Sequence, residues 1–581
     1  MHDAPLPRSS RSALDLLWVA ALLALHGALA VTSGWIKSAT YDEVSHLPAG
    51  LAAVSTGELH LNRQHPPLVK LLAGWSAGTL EPNLPLGSEA YRRGEEWNFG
   101  FDVLFEQGND AWALLRRGRL PTTALSMLGG LVVFLWGRRA FGRGAAFLAL
   151  GLYALSPSVL AQARWVTMDT AVTALGMAAL YGWWRLARSG DGGGVDVGWR
   201  WIAPCGLALG LALGSKWSAL VLIPAMALAE LLDPRGPGGR SGWKLRGLRW
   251  GGVLATAGLT VWGIYLFPAD PWFYFRDLGG LYGDLPEGYR FFLAGTFQEQ
   301  RFPHYFLATF ALKSTPVELA VAALAAAGGV WTLRRPWAKD GGAKIEGAKA
   351  EGAGAVGIEG AQGAPWADDL YLWIPAAAWL AATSLLATNQ GHRYILLLYP
   401  LLFVLAGRGL GLLTAALPSR RRYLAPLVVV ALVTAQVAET FAHHPDYLPY
   451  FNRPAGGVES GPHWLDDSNV DWNQDVGRLG PWLASHGVTS ARTVFLGRTG
   501  AAYYGVPTEP FLEADWRVGP RPGAYVLSAH VLSRGRELHA YEGWASDWLD
   551  RYRPVAVLGG SLYLYVFPGS EDPSVPEDAG P

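Results

Sequence analysis

The chain has 581 residues, 51% of them hydrophobic and 16% charged, with 27 Trp and a formal net charge of zero. That balance excludes the global basic field of a nucleic-acid binder, and one cysteine, Cys205 in an apolar run, excludes an internal disulfide and leaves redox chemistry unsupported. So much apolar sequence in so long a chain describes a polytopic α-helical membrane protein.

About eleven apolar runs approach the roughly 20 residues that cross about 30 Å of hydrocarbon. They lie near 13–35, 120–136, 145–160, 169–187, 200–214, 217–232, 250–267, 314–333, 370–388, 394–414 and 423–441. The first run lacks a small-residue cleavage site and ends in an acidic motif, so it reads as a retained span rather than a signal peptide. Arg138, Arg139 and Arg143 follow the second run, Arg185 and Arg188 the fourth, Arg235 to Arg249 the sixth, and Arg420 to Arg422 the tenth. Short cytoplasmic loops concentrate such residues, and the alternation predicts a transmembrane domain over 1–443. Outer loops are expected at 36–119 and 268–313, with juxtamembrane helices, and a Gly/Ala-rich disordered cytoplasmic linker at 338–366. After Phe441 the texture turns polar, with strand-like runs at Thr493–Leu496, Ala524–Leu527 and Leu562–Phe567. Residues 444–581 are therefore expected to form a small extracytoplasmic α/β domain.

Thr40, Tyr41, Asp42 and Glu43 follow the first run directly, where a span should meet water. His46, His60 and the stretch His65-Pro66-Pro67-Leu68-Val69-Lys70 come soon after, and Asp169 opens the fourth run at the same expected depth. Transfer of a sugar from a phosphate carrier needs a base for the acceptor's proton and cations for the departing phosphate, but little acid catalysis. Asp42, Glu43 and Asp169 are the candidate catalytic carboxylates. Their alternatives are a solvated pair capping the next helix and a helix N-cap. The histidines and acids together could instead hold a divalent cation, although their spacing matches no strong ligand motif and no cofactor is otherwise implied.

Basic residues at outer span ends break the usual rule, and Arg117, Arg119, Arg164, Lys216, Lys313, His392 and Arg393 all do so. Together with His65 and Lys70 they are candidates to converge on a lipid phosphate; snorkelling to headgroups is the alternative for any one of them. Aromatics at Trp97, Phe99, Phe101, Phe105 and Trp112 suggest either a sugar platform or interfacial anchors. Acids and amides alternate through Asp466–Asp475, yet the segment lacks the Gly and distal Glu of a calcium loop and reads as a structural or acceptor-facing turn.

These motifs resemble the GT-C superfamily of polyprenyl-phosphate-sugar-dependent glycosyltransferases, close to bacterial members, protein O-mannosyltransferases and lipid A aminoarabinose transferases. The resemblance rests on Tyr41-Asp42-Glu43 with His46, Leu61 to Leu68 with Lys70, Arg119-Leu120-Pro121, Thr167-Met168-Asp169, Lys216-Trp217, His392-Arg393-Tyr394 and Asp467 to Asp475. It implies a GT-C-like fold, a lipid monophosphate sugar donor, Asp42 as the carboxylate nearest the acceptor hydroxyl, support from Glu43 and Asp169, and Tyr41, His46 and Tyr394 near the substrates. Two positions depart from the pattern. Gln64 stands where relatives commonly carry Glu, and His65 where the lipid A enzymes carry Lys, which makes a phosphate contact there pH-dependent.

The expected function is transfer of a hexose, mannose first, to a protein, lipid or glycan hydroxyl on the extracytoplasmic face of a bacterial inner membrane, with membrane lipids as surroundings. A single displacement would invert the anomeric centre. A transporter or flippase of lipid-linked sugars is the competing class, but such proteins place ionisable groups near the bilayer midplane and often carry internal repeats, and this chain shows neither. A noncatalytic scaffold would leave the clustered acids and bases unexplained.

Overall fold

The computed structural model describes residues 8–190, 199–235, 239–279, 289–334, 366–421, 423–517, 519–542 and 548–568. Helices stand at each apolar run marked in the sequence, from Arg8–Trp35 through Ala111–Phe141, Met168–Ala187 and Leu398–Ala416 to Leu424–Ala442. By length and composition, three segments among the described residues are long and apolar enough to cross a membrane, namely Ala13–Trp35, Ala111–Phe141 and Ser419–Ala442, and shorter apolar helices accompany them. The linker expected at 338–366 lies outside the described residues but for Trp366.

Short helices follow the first long one. Tyr41–Thr56 and Leu68–Gly78 cross backbone to backbone: a Cβ on Gly50 would lie 2.0 Å from the Lys70 carbonyl oxygen, and one on Gly74 would lie 2.2 Å from Gly50. Only glycine permits such an approach, and it holds the His65 loop against the start of the chain's acidic helix.

At the other end of Met168–Ala187, a 20-residue helix spanning about 30 Å, a second ionic cluster ties helix ends together. Asp368 accepts from Arg188 Nε at 2.6 Å, Arg235 at 3.0 Å and Trp184 Nε1 at 2.8 Å, and Asp233 pairs with Arg188 as well. The carboxylates and guanidiniums satisfy each other, so this cluster ties the helix ends together.

The chain after 444 carries a five-stranded mixed sheet. Strands β1 (Phe291–Leu293) and β2 (Thr296–Gln298) form a separate hairpin, while β3 (Ala491–Val494), β4 (Thr508–Glu509), β5 (Gly523–Ser528), β6 (Ala556–Leu558) and β7 (Leu562–Phe567) pair in the order β4-β3-β5-β7-β6. β3 runs parallel to β4 and β5, and β7 runs antiparallel to β5 and β6. The strand expected at Thr493–Leu496 starts two residues earlier, because Ala491 bonds with the Pro507 carbonyl and pairs Thr508.

This sheet is bound to the start of the chain by polar contacts. Ser38 N–H donates to Gln474 O at 3.0 Å and Tyr41 N–H to Trp472 O at 2.9 Å, so residues 38–41 and 472–474 lie side by side. Lys37, fully buried, donates to Asp446 and to Asp475 Oδ1 at 2.6 Å, and Arg478 reaches both of those acids at 2.8 Å. An unpaired ammonium could not be buried so completely, so the two acids are what allow Lys37 to sit inside.

Candidate active site

Local chemistry starts the acidic helix. Thr40 has extended φ and ψ of −74° and 161°, its side chain accepts from Glu43 N–H, and Glu43 returns the bond to the Thr40 backbone, which makes a capping box. Glu43 is fully buried and does more than cap. Its Oε1 accepts from Arg119 Nε at 2.8 Å and Val166 N–H at 3.0 Å; its Oε2 accepts from Arg119 at 2.6 Å and from Thr40 N–H and Oγ1 at 3.0 and 3.1 Å. With five donors around it, the Glu43 carboxylate has no lone pair left for a substrate proton.

Arg119 is equally committed. Beyond Glu43 it donates to the carbonyls of Gly34, Lys37 and Ser38 at 2.8 to 2.9 Å. All five of its N–H groups are used and it is buried, so Arg119 is a strut beneath the helix start and not a phosphate ligand.

Asp42 points the other way. Its Oδ2 accepts from Arg393 at 2.6 Å, and side-chain exposures of 16% and 12% leave this pair within reach of solvent. Asp169, second residue of Met168–Ala187, makes no cap; it binds Lys216 Nζ at 2.5 Å through Oδ1 and stands 3.9 Å from Arg393 through Oδ2. Lys216 lies 4.4 Å above the Tyr394 ring, and Arg393 stacks 4.2 Å from Trp472 with its Nε unpartnered. Four chain segments thus bring two acids and two cations to one place. Burial pushes the Asp42 carboxyl up, but Arg393, His46 and Lys216 overcome this and hold it below the usual carboxylate value.

His46 lies one helical turn beyond Asp42, on the same face. Its Nδ1 donates to the Val166 carbonyl at 2.8 Å, which leaves Nε2 as the acceptor, and its ring meets His65 edge-on at 5.4 Å. Burial lowers the His65 pKa well below that of free imidazole, with His46 and Lys216 adding to the effect, and its Nδ1 has no partner. Behind His65 lies a small pocket lined by Ala49, Leu59, Leu71 and Tyr265 together with the charged Arg63, Lys70 and Asp277. Tyr41 flanks the site from the other side, 4.4 Å from Trp97.

The remaining basic candidates are placed elsewhere. Lys70 donates to both carbonyls Asn62 and His65 and to the Asn62 amide oxygen, and burial brings its pKa to about 7, so it shapes the loop instead of facing the site. Lys313 donates to the carbonyls of Leu448 and Asn469, each at 2.7 Å, and burial takes its pKa well below that of free lysine. His392 is buried against Tyr399 at 2.9 Å with its pKa lowered to about 3, so it carries no charge for a phosphate. Arg164 sits across Trp165 from Arg119 and donates to the Pro445 carbonyl at 2.8 Å. Lys70, Lys313 and Arg164 satisfy carbonyls of irregular backbone, a need that the sequence alone does not show, and Arg164 Nε and Nη2 have no partner among the described residues.

Of the aromatic series, Phe99 and Phe101 are buried, Phe105 and Trp112 pack on Tyr504, and Trp97 packs on Tyr41 at the acidic helix start. Among the described residues no three His, Cys, Asp or Glu side chains gather as a metal site. Sequence reading missed Lys37 and Trp472. Lys37 was itself a basic residue at the outer end of the first run, the signal used for its neighbours; Trp472 lies inside a segment noted only for its acids and amides.

A family model described as dolichyl-phosphate-mannose-protein mannosyltransferase matches residues 106–265, which include Asp169 and Lys216. A comparison with curated proteins finds no match. Among solved structures the chain is similar to ArnT from Cupriavidus metallidurans in the apo state, at 14% identity and a TM-score of 0.46, over 94% of this chain and 97% of that one. The same protein bound to undecaprenyl phosphate gives 15%, 0.44, 97% and 99%. The oligosaccharyltransferase of Archaeoglobus fulgidus in the apo form gives 10%, 0.46, 93% and 74%. The family match agrees with the resemblance carried by the motifs.

Proposed function

We propose that this protein is a membrane glycosyltransferase that moves a hexose from a polyprenyl phosphate to a protein, lipid or glycan hydroxyl. The carrying observation is the Asp42–Arg393 pair at 2.6 Å with Asp169 and Lys216 beside it, partly open, at one end of an apolar helical bundle. The mannosyltransferase description of the matching family supports a glycosyl transfer and makes mannose the first donor sugar to test.

In this reading the acceptor oxygen attacks the anomeric carbon while the bond from that carbon to the phosphate oxygen breaks. Its proton passes to Asp42, and the bonding pair leaves with the polyprenyl phosphate. Arg393, through Nε and its remaining N–H groups, and Lys216 would take the charge that grows on that phosphate. Asp169 sets Lys216 in place and supports Arg393; Glu43 contributes only by fixing the helix start. A single displacement inverts the sugar. The site faces the extracytoplasmic side of a bacterial inner membrane, as the distribution of Arg and Lys supports.

Purified protein given labelled polyprenyl-phosphate mannose and an acceptor extract should release polyprenyl phosphate, and Asp42→Asn should release none above background. Equal release by both proteins would remove Asp42 from the chemistry.

A further inference from the structure

The segment Asp466–Asp475 is built around two residues in left-handed backbone, Asp467 at φ 54° and Asn473 at φ 67°. Between them the chain arches from the Arg393 loop to the start of the Asp42 helix. Ser468 Oγ donates to the Gln390 carbonyl at 2.9 Å, His392 N–H donates to Asn469 Oδ1 at 2.9 Å, Trp472 carries the Arg393 guanidinium, and the Trp472 carbonyl accepts from Tyr41 N–H. So tight a saddle over two functional elements fixes where Asp467 stands. Its N–H donates to His530 Nδ1 at 2.9 Å, and Ser468 N–H donates to its Oδ1 at 2.6 Å. Among the described residues its Oδ2 has no protein partner, and the residue is half-buried.

The residue next to Asp467 is packed against the Arg393 loop: a Cβ on Gly391 would lie 2.4 Å from Ser468 Oγ and 3.2 Å from Arg393 Cγ. Burial raises its carboxyl pKa, Arg393 opposes that, Asp42 adds to it, and in turn Asp467 raises the Tyr41 phenol. A half-buried carboxylate with one oxygen left free is suited to accept from neutral hydroxyls. If Arg393 and Lys216 face the donor phosphate and Asp42 the acceptor, the sugar lies between them, over the Asp42–Arg393 pair that Asp467 overlooks.

We propose that Asp467, reaching the site from the segment that saddles Arg393 and Tyr41, binds a hydroxyl of the transferred sugar and helps select it. This rests on the glycosyltransferase reading. It assigns to the polar C-terminal part a direct share in the substrate site, beyond its role in holding the Asp42 helix.

The test uses the full chain, Asp467→Asn and Asp467→Gly, because Asn and Gly both tolerate left-handed backbone and neither restores the charge. Donor KM and kcat are measured with polyprenyl-phosphate mannose and with a series of donors each lacking one sugar hydroxyl. Loss of a charge-assisted bond predicts that donor KM rises about tenfold in both variants with kcat little changed. It also predicts that one deoxy donor, poorly used by the unaltered protein, becomes as good as the parent donor in the variants. Unchanged KM and unchanged discrimination overturn the assignment, as does a fall in kcat with discrimination intact, which is what a merely structural role gives. If the unaltered protein releases no polyprenyl phosphate, the functional reading itself fails and the assignment falls with it.

Discussion

Asp42 and Glu43 are neighbours of nearly the same chemistry, and replacing each should have opposite consequences. In Glu43→Gln an amide must meet donors that now meet a carboxylate: Arg119 twice, Val166 N–H, and the Thr40 backbone and hydroxyl. At least one donor then faces another donor, and the guanidinium of Arg119, 5% exposed, loses its only carboxylate. Breaking a buried pair in this way costs about 3–5 kcal/mol, a large part of the roughly 5–15 kcal/mol that holds a folded domain. Asp42→Asn touches a pair that water partly reaches, keeps an acceptor for Arg393, and leaves Arg393 facing Asp169, so its cost should be about 1 kcal/mol. Thermal unfolding of the purified proteins in detergent, followed by tryptophan fluorescence, should show Glu43→Gln melting several degrees below the parent and Asp42→Asn close to it. Transfer per folded molecule should show the reverse order, with Glu43→Gln active while folded and Asp42→Asn inactive. A Glu43→Gln protein that melts like the parent yet transfers nothing would refute the division of labour.

Two further outcomes bear on the cations. Asp42 acts as a base only when ionised, and its folded pKa is held below the ordinary value chiefly by Arg393 against the opposing effect of burial. Activity should therefore persist as pH falls toward the ordinary carboxylate range, and Arg393→Met should move the acid limb of kcat/KM upward. The depressed carboxyl also stabilises the fold above its unfolded pKa, a contribution lost as pH falls through the folded value, so acid unfolding of Arg393→Met should begin at higher pH; an unmoved acid limb would sever Arg393 from Asp42. Lys216→Met should raise donor KM about tenfold and weaken inhibition by free polyprenyl phosphate, whereas Lys313→Met should leave both as they are and lower the melting temperature. The opposite pattern would exchange their assignments.

Local sequence determined much of this protein by itself. Apolar runs dictate helices because each must satisfy its own backbone where water is absent, and the spacing of Thr40 and Glu43 is enough to start one. The residue types of the site were legible too: Asp42, Asp169, Lys216 and Arg393 stand where charge is expensive without a use. Only the tertiary structure decided which charges meet. Glu43 turns toward Arg119 and Asp42 toward Arg393 because adjacent helical residues project about 100° apart, and what lies in each direction comes from segments 76 and 351 residues away. The same cause separates Lys216 from Lys313, two basic residues with the same signature at span ends, one left partly open beside an acid and the other buried on backbone carbonyls. A charge declares from sequence that it needs a partner, but which partner satisfies it is settled by chain crossings that no local pattern encodes.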